Sequence, residues 1–303
     1  MKKKSEKSIK ILAVATGFPY DIELVDKACH RLSRYNVTVM VPRNLMKPHW
    51  IFSNTDDRRW YFLKNALLQG DYDYIWAVRG GYGTIRLVPY LLSLEQQLKR
   101  VTPKIFLGLS DVTSLHLFLN NRLKWTSWHA PVLEALGRDT FLESSLERLV
   151  TLLRQGFKVE HRVSIQPFNR SAKKIGLLKA SMMVGGNLSV MQSHVGTPIF
   201  KNLKNKFLFI EEVGERGYRI DRMLQHLRQA GYFHGCKAIF LGEFTGGNEP
   251  DGSNRVHEAL QYFFERLEIP VYSGIRSGHG DGHDVVIFGK KCLVDRHVLR
   301  FNG

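Results

Sequence analysis

The sequence predicts an α/β protein with a parallel sheet in its first half and a mixed sheet in its second. Three observations carry this. Apolar, strand-like runs alternate with helix-period segments from residue 9 to residue 119; the alternation becomes shorter and more polar after residue 157; and 303 residues that are 44% hydrophobic can bury a substantial core without staples.

The strands of the first half read IKILAVAT (9–16), NVTVMVP (36–42), YDYIWAV (72–78) and KIFLGL (104–109). Between and after them lie helical patterns at Ile22–Leu32, Arg58–Leu68, Ile85–Leu92 and Val112–Leu119. Strands that are apolar almost throughout, each followed by a helix, are expected in a parallel sheet covered on both faces. Asn54-Thr55-Asp56-Asp57 supplies a helix start with acid at the positive dipole end, and Pro42 and Pro48 mark the loop before it. After WTSWHAPVL (125–133), a helix over Phe141–Leu153 is stopped by Gly156.

The boundary falls near residue 160, giving domains 1–160 and 161–303. In the second, Gly185-Gly186-Asn187 precedes a helix, NKFLFIEEVGE (205–215) is a strand ending in acids, and Ile220–Leu227 is a helix followed by Gly231. CKAIFLGEF (236–244), Val256–Phe264 and IPVYSGI (269–275) continue the alternation. No internal repeat or low-complexity tract is present, which excludes a solenoid.

Composition narrows the function classes. Cys29, Cys236 and Cys292 are far apart, without metal-ligand spacing, and read as reduced thiols of a cytoplasmic protein. The basic start MKKKSEKSIK is followed by too short an apolar run for an export signal, and 18 consecutive apolar residues occur nowhere, so no membrane partner is expected. A formal charge of +16 invites a nucleic-acid reading. The basic residues are scattered, however, and no nucleic-acid motif appears, so the charge argues for attraction to anions in general rather than for a dedicated nucleic-acid partner.

Four segments carry chemistry. GLSDVT (108–113) follows a strand and opens a helix, so Ser110 sits at a sharp turn with a helix N-terminus beside it; its plainer reading is a helix cap. Gly80, Gly81 and Gly83 in AVRGGYGTIR lie between a strand and a helix and form an anion nest, an oxyanion hole or a simple tight turn. Their spacing matches neither a Walker A loop nor a dinucleotide fingerprint. Glu211 and Glu212 end a strand, where doubly wound folds keep their sites; Glu215 and Asp221 follow, beside Arg216, Arg219 and Arg222 as salt-bridge partners.

The fourth segment, Gly278-His279-Gly280-Asp281-Gly282-His283, presents two imidazoles in a glycine-rich loop. A general base is the favoured role; a metal held by His279, His283 and Asp281 or Asp284 is the competing one, without an HExxH or Cys-rich complement. An exposed serine is a weak nucleophile until a base takes its proton. A serine, a carboxylate at a strand end and a histidine together supply nucleophile, orienter and base in the order Ser, Glu, His.

With these residues in view, the chain resembles the serine L,D-carboxypeptidase family, which includes muramoyl-tetrapeptide carboxypeptidases and self-immunity peptidases that inactivate a peptide-nucleotide antibiotic. The matching blocks are RGGYG (79–83), GLSDVTSLH (108–116), GGNL (185–188), FIEEVGERGYRIDRML (209–224) and GHG (278–280). The resemblance implies Ser110 as nucleophile, His279 as general base and Glu211, rather than Glu212, as the acid that orients it. It implies the backbone N–H groups of Gly81 and Asp111 as the oxyanion hole. It assigns no role to His283. The implied architecture is an N-terminal parallel-sheet domain of flavodoxin/glutamine-amidotransferase-like kind carrying the serine, and a smaller C-terminal mixed α/β domain carrying the acid and histidine. A cytoplasmic homodimer that needs no metal and no other cofactor is implied as well. Arg79 is the candidate for a substrate's free carboxylate. The chain departs from the usual pattern at Ala15-Thr16-Gly17-Phe18-Pro19 and in the tail after Gly280.

The expected substrate is a murein tetrapeptide, cleaved at its terminal L,D-amide. A peptide-nucleotide or other amide conjugate is the alternative, with Trp50, Trp60, Trp125 and Trp128 as material for stacking. A basic binding protein without turnover is a third reading, marked by steeply salt-dependent polyanion binding.

Overall fold

The computed structural model describes residues 8–156, 158–280 and 284–301. By its contacts the chain divides into two units, Met1–Val112 with Pro131–Gly156, and Thr113–Ala130 with Phe157–Gly303. In the first, β1 (Ile9–Val14), α1 (Ile22–Ser33), β2 (Val37–Met40), α2 (Asp56–Leu68), β3 (Tyr74–Ala77), α3 (Val88–Leu98) and β4 (Ile105–Gly108) follow one another. The chain passes to the second unit for α4 (Thr113–Phe118) and β5 (Ser127–His129), then back to the first for α5 (Glu143–Gln155). The rest of the second unit comprises β6 (His161–Ser164), β7 (Gln166–Pro167), α6 (Arg170–Lys173), β8 (Leu177–Asn187), α7 (Leu188–Ser193), β9 (Lys206–Val213) and α8 (Gly217–Gln229). It ends with β10 (Ala238–Thr245), α9 (Val256–Phe264), β11 (Val271–Ser273), β12 (Val286–Phe288), β13 (Lys291–Asp295) and β14 (Val298–Phe301).

The strands of the first unit run parallel in the order β2-β1-β3-β4, with Ile11 opposite both Val39 and Tyr74, and Tyr74 opposite Ile105. Every residue of β3 is buried, as a strand covered on both faces requires. Local chemistry sets the helix ends. Asp21 accepts from the N–H groups of Glu23 at 2.9 Å and Leu24 at 3.3 Å to start α1, Thr55 caps α2, and Gly156 at φ +54° stops α5.

The eight-stranded sheet of the second unit has the order β6-β14-β13-β8-β9-β10-β11-β7. Its centre, β8 to β11, is parallel, and the flanking strands are antiparallel. Phe207, Phe209, Phe240 and Tyr272 bury their rings along it. The sequence placed residues 1–160 in one domain, whereas contacts group Thr113–Ala130 with the second unit. The reason is that α4 packs on β8, where the Asn187 N–H donates to Thr113 Oγ1 at 2.9 Å, and that β5 pairs with β12. The second unit, with eight strands in its sheet, is therefore not the smaller body expected.

Among the described residues no helix is long and apolar enough to cross a membrane. Cys236 and Cys292 are buried, and burial pushes the Cys236 thiol up to about 12.

Candidate active site

The turn at Ser110 is built by backbone geometry. The chain leaves buried β4 and enters the left-handed region at Ser110, φ +69°, before a tight helical turn over Ser110–Val112. A non-glycine residue held there costs roughly 1–3 kcal/mol, and such strain collects at functional turns. Gly80 lies so near that an added Cβ would sit 2.9 Å from Ser110 Cβ and 3.1 Å from its Oγ. The Phe18 N–H donates to Gly80 O at 3.1 Å. In a trans peptide this turns the Gly81 N–H to the opposite side, at a residue whose φ of +93° suits glycine.

The side chain of Asp111 holds the glycine loop in place. Its buried carboxylate accepts from the N–H of Gly83 at 3.2 Å, the N–H of Thr84 at 2.9 Å and the Thr84 hydroxyl at 2.7 Å. Burial pushes this carboxyl up, and the Thr84 and Gly83 donors and the Arg59 charge oppose the shift. Arg79 donates to Pro19 O at 2.9 Å and lies 3.7 Å from buried Glu134, with its side chain 41% exposed.

The acid and histidine lie in the second unit. Along β9 successive side chains point to opposite faces, which separates the two neighbouring acids. Glu212 accepts from Asn187 Nδ2 at 2.9 Å and from the N–H groups of Ser189 at 2.7 Å and Val213 at 2.9 Å, so it braces the start of α7. Glu211, with no exposed side chain, faces the other way and places Oε2 2.8 Å from His279 Nδ1. A carboxylate only accepts, so Nδ1 carries the proton in this bond and Nε2 keeps the lone pair a general base needs.

The His279 loop is fastened to β10. The Glu243 N–H donates to Ser277 O at 2.9 Å, and the Gly280 N–H donates to Glu243 Oε2 at 3.1 Å. Burial lowers His279, but the hydrogen bond and charge of Glu211, joined by the charges of Glu212 and Glu243, outweigh it and raise it above its ordinary 6.5. Burial pushes Glu211 up, and His129 and His279 together bring it down to about 2. His129 was missed in the sequence. It ends β5 fully buried, its Nδ1 2.9 Å from Ser277 Oγ and its Nε2 3.8 Å from Glu211 Oε1. A histidine before Ala-Pro gives no local hint of such a contact.

Ser110, Gly80, Gly81 and Asp111 thus come together in the first unit, and Glu211, His279, His129 and Ser277 in the second. Among the described residues no group of three His, Cys, Asp or Glu side chains could hold a metal ion. His283 and Asp281 lie outside the described residues. Of the tryptophans considered for stacking, Trp125 and Trp128 are buried in the core, while Trp60 stacks on Tyr90 and Trp50 is 76% exposed.

Residues 9–130 match the LD-carboxypeptidase N-terminal domain and residues 180–294 the LD-carboxypeptidase C-terminal domain. A putative carboxypeptidase of Rickettsia conorii is 34% identical over 242 residues, covering 80% of this chain and 74% of the relative. The chain belongs to the LD-carboxypeptidase family. It is a serine carboxypeptidase, and the family match joins hydrolase chemistry to a peptide or murein type of substrate.

Solved structures share the fold over nearly the whole length. A muramoyltetrapeptide carboxypeptidase from Oxalobacter formigenes superposes with a TM-score of 0.82 at 23% identity, covering 97% of this chain and 99% of that one. An MccF-like protein from Streptococcus pneumoniae, in complex with AMP, gives a TM-score of 0.81 at 21% identity, covering 98% and 99%.

Proposed function

We propose that Ser110 attacks the carbonyl of a substrate's terminal amide while His279 Nε2 takes its proton and Glu211 orients the imidazole. The C–N bond breaks as that proton passes to the leaving amine. Water, activated through His279, then hydrolyses the serine ester. The N–H groups of Gly81 and Asp111 stabilise the oxyanion, and Arg79 receives a free carboxylate. The observation that carries this reading is the 2.8 Å contact between His279 Nδ1 and the fully buried Glu211, which leaves one imidazole nitrogen free to act as a base.

For the substrate, the first reading is a peptide conjugate bearing a nucleotide or similar anionic group. It is supported by the AMP-bound relative and by the +16 charge, which draws anions. A murein tetrapeptide cleaved between meso-diaminopimelate or lysine and D-alanine is the second reading, supported by the relative from Oxalobacter formigenes. A flavodoxin/glutamine-amidotransferase-like fold for the first unit, supported by its β2-β1-β3-β4 parallel order, belongs to the same proposal, as do a cytoplasmic location and a homodimer.

The test is incubation of wild type and Ser110→Ala, without added metal, with a peptide-nucleotide conjugate and with murein tetrapeptide, followed by mass spectrometry. Release of the terminal group by wild type alone supports the mechanism, and the substrate consumed chooses between the two readings. Release by both proteins overturns Ser110 as nucleophile, and release by neither overturns both substrates. An Arg79→Ala variant that keeps its discrimination for a free terminal carboxylate removes Arg79 from the proposal.

A further inference from the structure

Glu211 is clamped between two imidazoles, and only one of them belongs to the mechanism above. Oε2 meets His279, whereas Oε1 has no hydrogen-bond partner among the described residues and faces His129 Nε2 at 3.8 Å. His129 has no exposed surface, and its Nδ1 lies 2.9 Å from Ser277 Oγ, two residues before His279. A Ser277 O–H that donates to Nδ1 leaves the His129 proton on Nε2, the atom that faces the unbonded carboxylate oxygen.

The geometry points to His129, held by Ser277, as a positioning residue that keeps Glu211 ionised and turned toward His279. This inference rests on the proposed mechanism and adds to it a residue that never meets substrate. The physical need is plain. A carboxylate with no water around it favours its neutral form, and a neutral Glu211 no longer holds the His279 Nδ1 proton or favours the imidazolium. Other groups among the described residues also surround the pair. Glu212 and Glu243 face His279 from β9 and β10, and the His116 ring on α4 lies 6.4 Å from the His129 ring, itself bonded to Ser127 Oγ at 2.8 Å. The Phe209 and Phe288 rings lie 5.0 and 5.7 Å from the His129 ring between centroids. Among the groups named, His129 is therefore the polar one directed at Oε1.

The test uses His129→Phe, His129→Gln, His129→Asn and Ser277→Ala, read by kcat/KM against pH and by NMR titration of the His279 imidazole. A Gln amide reaches the position of Nε2, and an Asn amide reaches only that of Nδ1. The expected results are a plateau lowered about tenfold to a hundredfold in His129→Phe and an acid limb moved to lower pH, as His279 loses its ionised partner. Gln restores both, Asn restores neither, and Ser277→Ala shifts the limb in the same direction by less. If the His279 titration is unmoved in His129→Phe and Ser277→Ala, or if Gln and Asn behave alike, the inference is overturned. The NMR arm needs no turnover, so a wrong substrate or mechanism appears as inactive wild type with the titration shift intact. If His129→Phe does not fold, Ser277→Ala and the Gln–Asn pair carry the same decision.

Discussion

The two halves of the proposed catalytic apparatus, one in each unit, are held by different forces. Around Ser110 the geometry is steric and backbone-borne: a serine at φ +69°, a glycine whose Cβ would lie 2.9 Å from it, and a carboxylate spent on loop N–H groups. Around His279 it is electrostatic and side-chain-borne: a buried carboxylate brought down to about 2 by two imidazoles and a histidine raised by carboxylates. A steric site tolerates pH and resists added volume. An electrostatic site tolerates isosteric replacement of its shape but depends on charge.

Glu211→Gln breaks the electrostatic half with little change of volume, and its effect is the largest expected. The plateau of kcat/KM falls by about 10²–10⁴, the contribution of a positioned general base, with a triad carboxylate-to-amide change at the upper end. Glu211 raises His279, so its loss lets His279 fall and the acid limb moves to lower pH. Folding stability follows the same pair. The contribution of raised His279 is complete below pH 6.5 and is lost as pH climbs through its folded value, while that of depressed Glu211 is complete above pH 4.5 and is lost as pH falls toward about 2. Urea unfolding of wild type and Glu211→Gln should therefore differ most between pH 4.5 and 6.5. A difference that does not vary with pH would deny the coupling.

Gly80→Ala attacks the steric half. The new Cβ must displace Ser110, so kcat/KM falls about a hundredfold, the cost of misplacing a reacting atom by about an ångström. The acid limb stays where it is. A limb that moves in Gly80→Ala would show that the two halves are not held separately. Glu212→Gln gives the smallest effect on activity and sharpens the comparison between neighbours on one strand. It turns an amide N–H₂ toward groups that already donate, costing about 1–3 kcal/mol of stability by urea unfolding. Its acid limb shifts less than that of Glu211→Gln, because Glu212 touches His279 only through its charge.

Much of this was legible in the chain. The first-unit strands were readable because a doubly covered parallel strand is apolar throughout, and Thr55 and Gly156 announced helix ends through their own side-chain chemistry or its absence. Ser110 and the glycine loop were legible because a strand, a turn and a helix are consecutive in sequence. The distinction between Glu211 and Glu212 came only from the resemblance, since adjacent residues share a neighbourhood until a sheet sends them to opposite faces. His129 was silent, because its partners Ser277 and Glu211 are far away along the chain. The assignment of residues 113–130 to the second unit was silent for the same reason, resting on contacts of α4 with β8 and of β5 with β12.

By itself, then, the sequence determined the α/β class, the alternation of elements and the sharp strand–turn–helix passage at Ser110, all of which depend on hydrophobic period and on backbone preferences a few residues long. Tertiary structure decided how the sheet parts Glu211 from Glu212, that His129 lies beside Glu211 and where the contacts divide the chain. Those outcomes depend on burial and on pairings between distant residues, and no local preference encodes them.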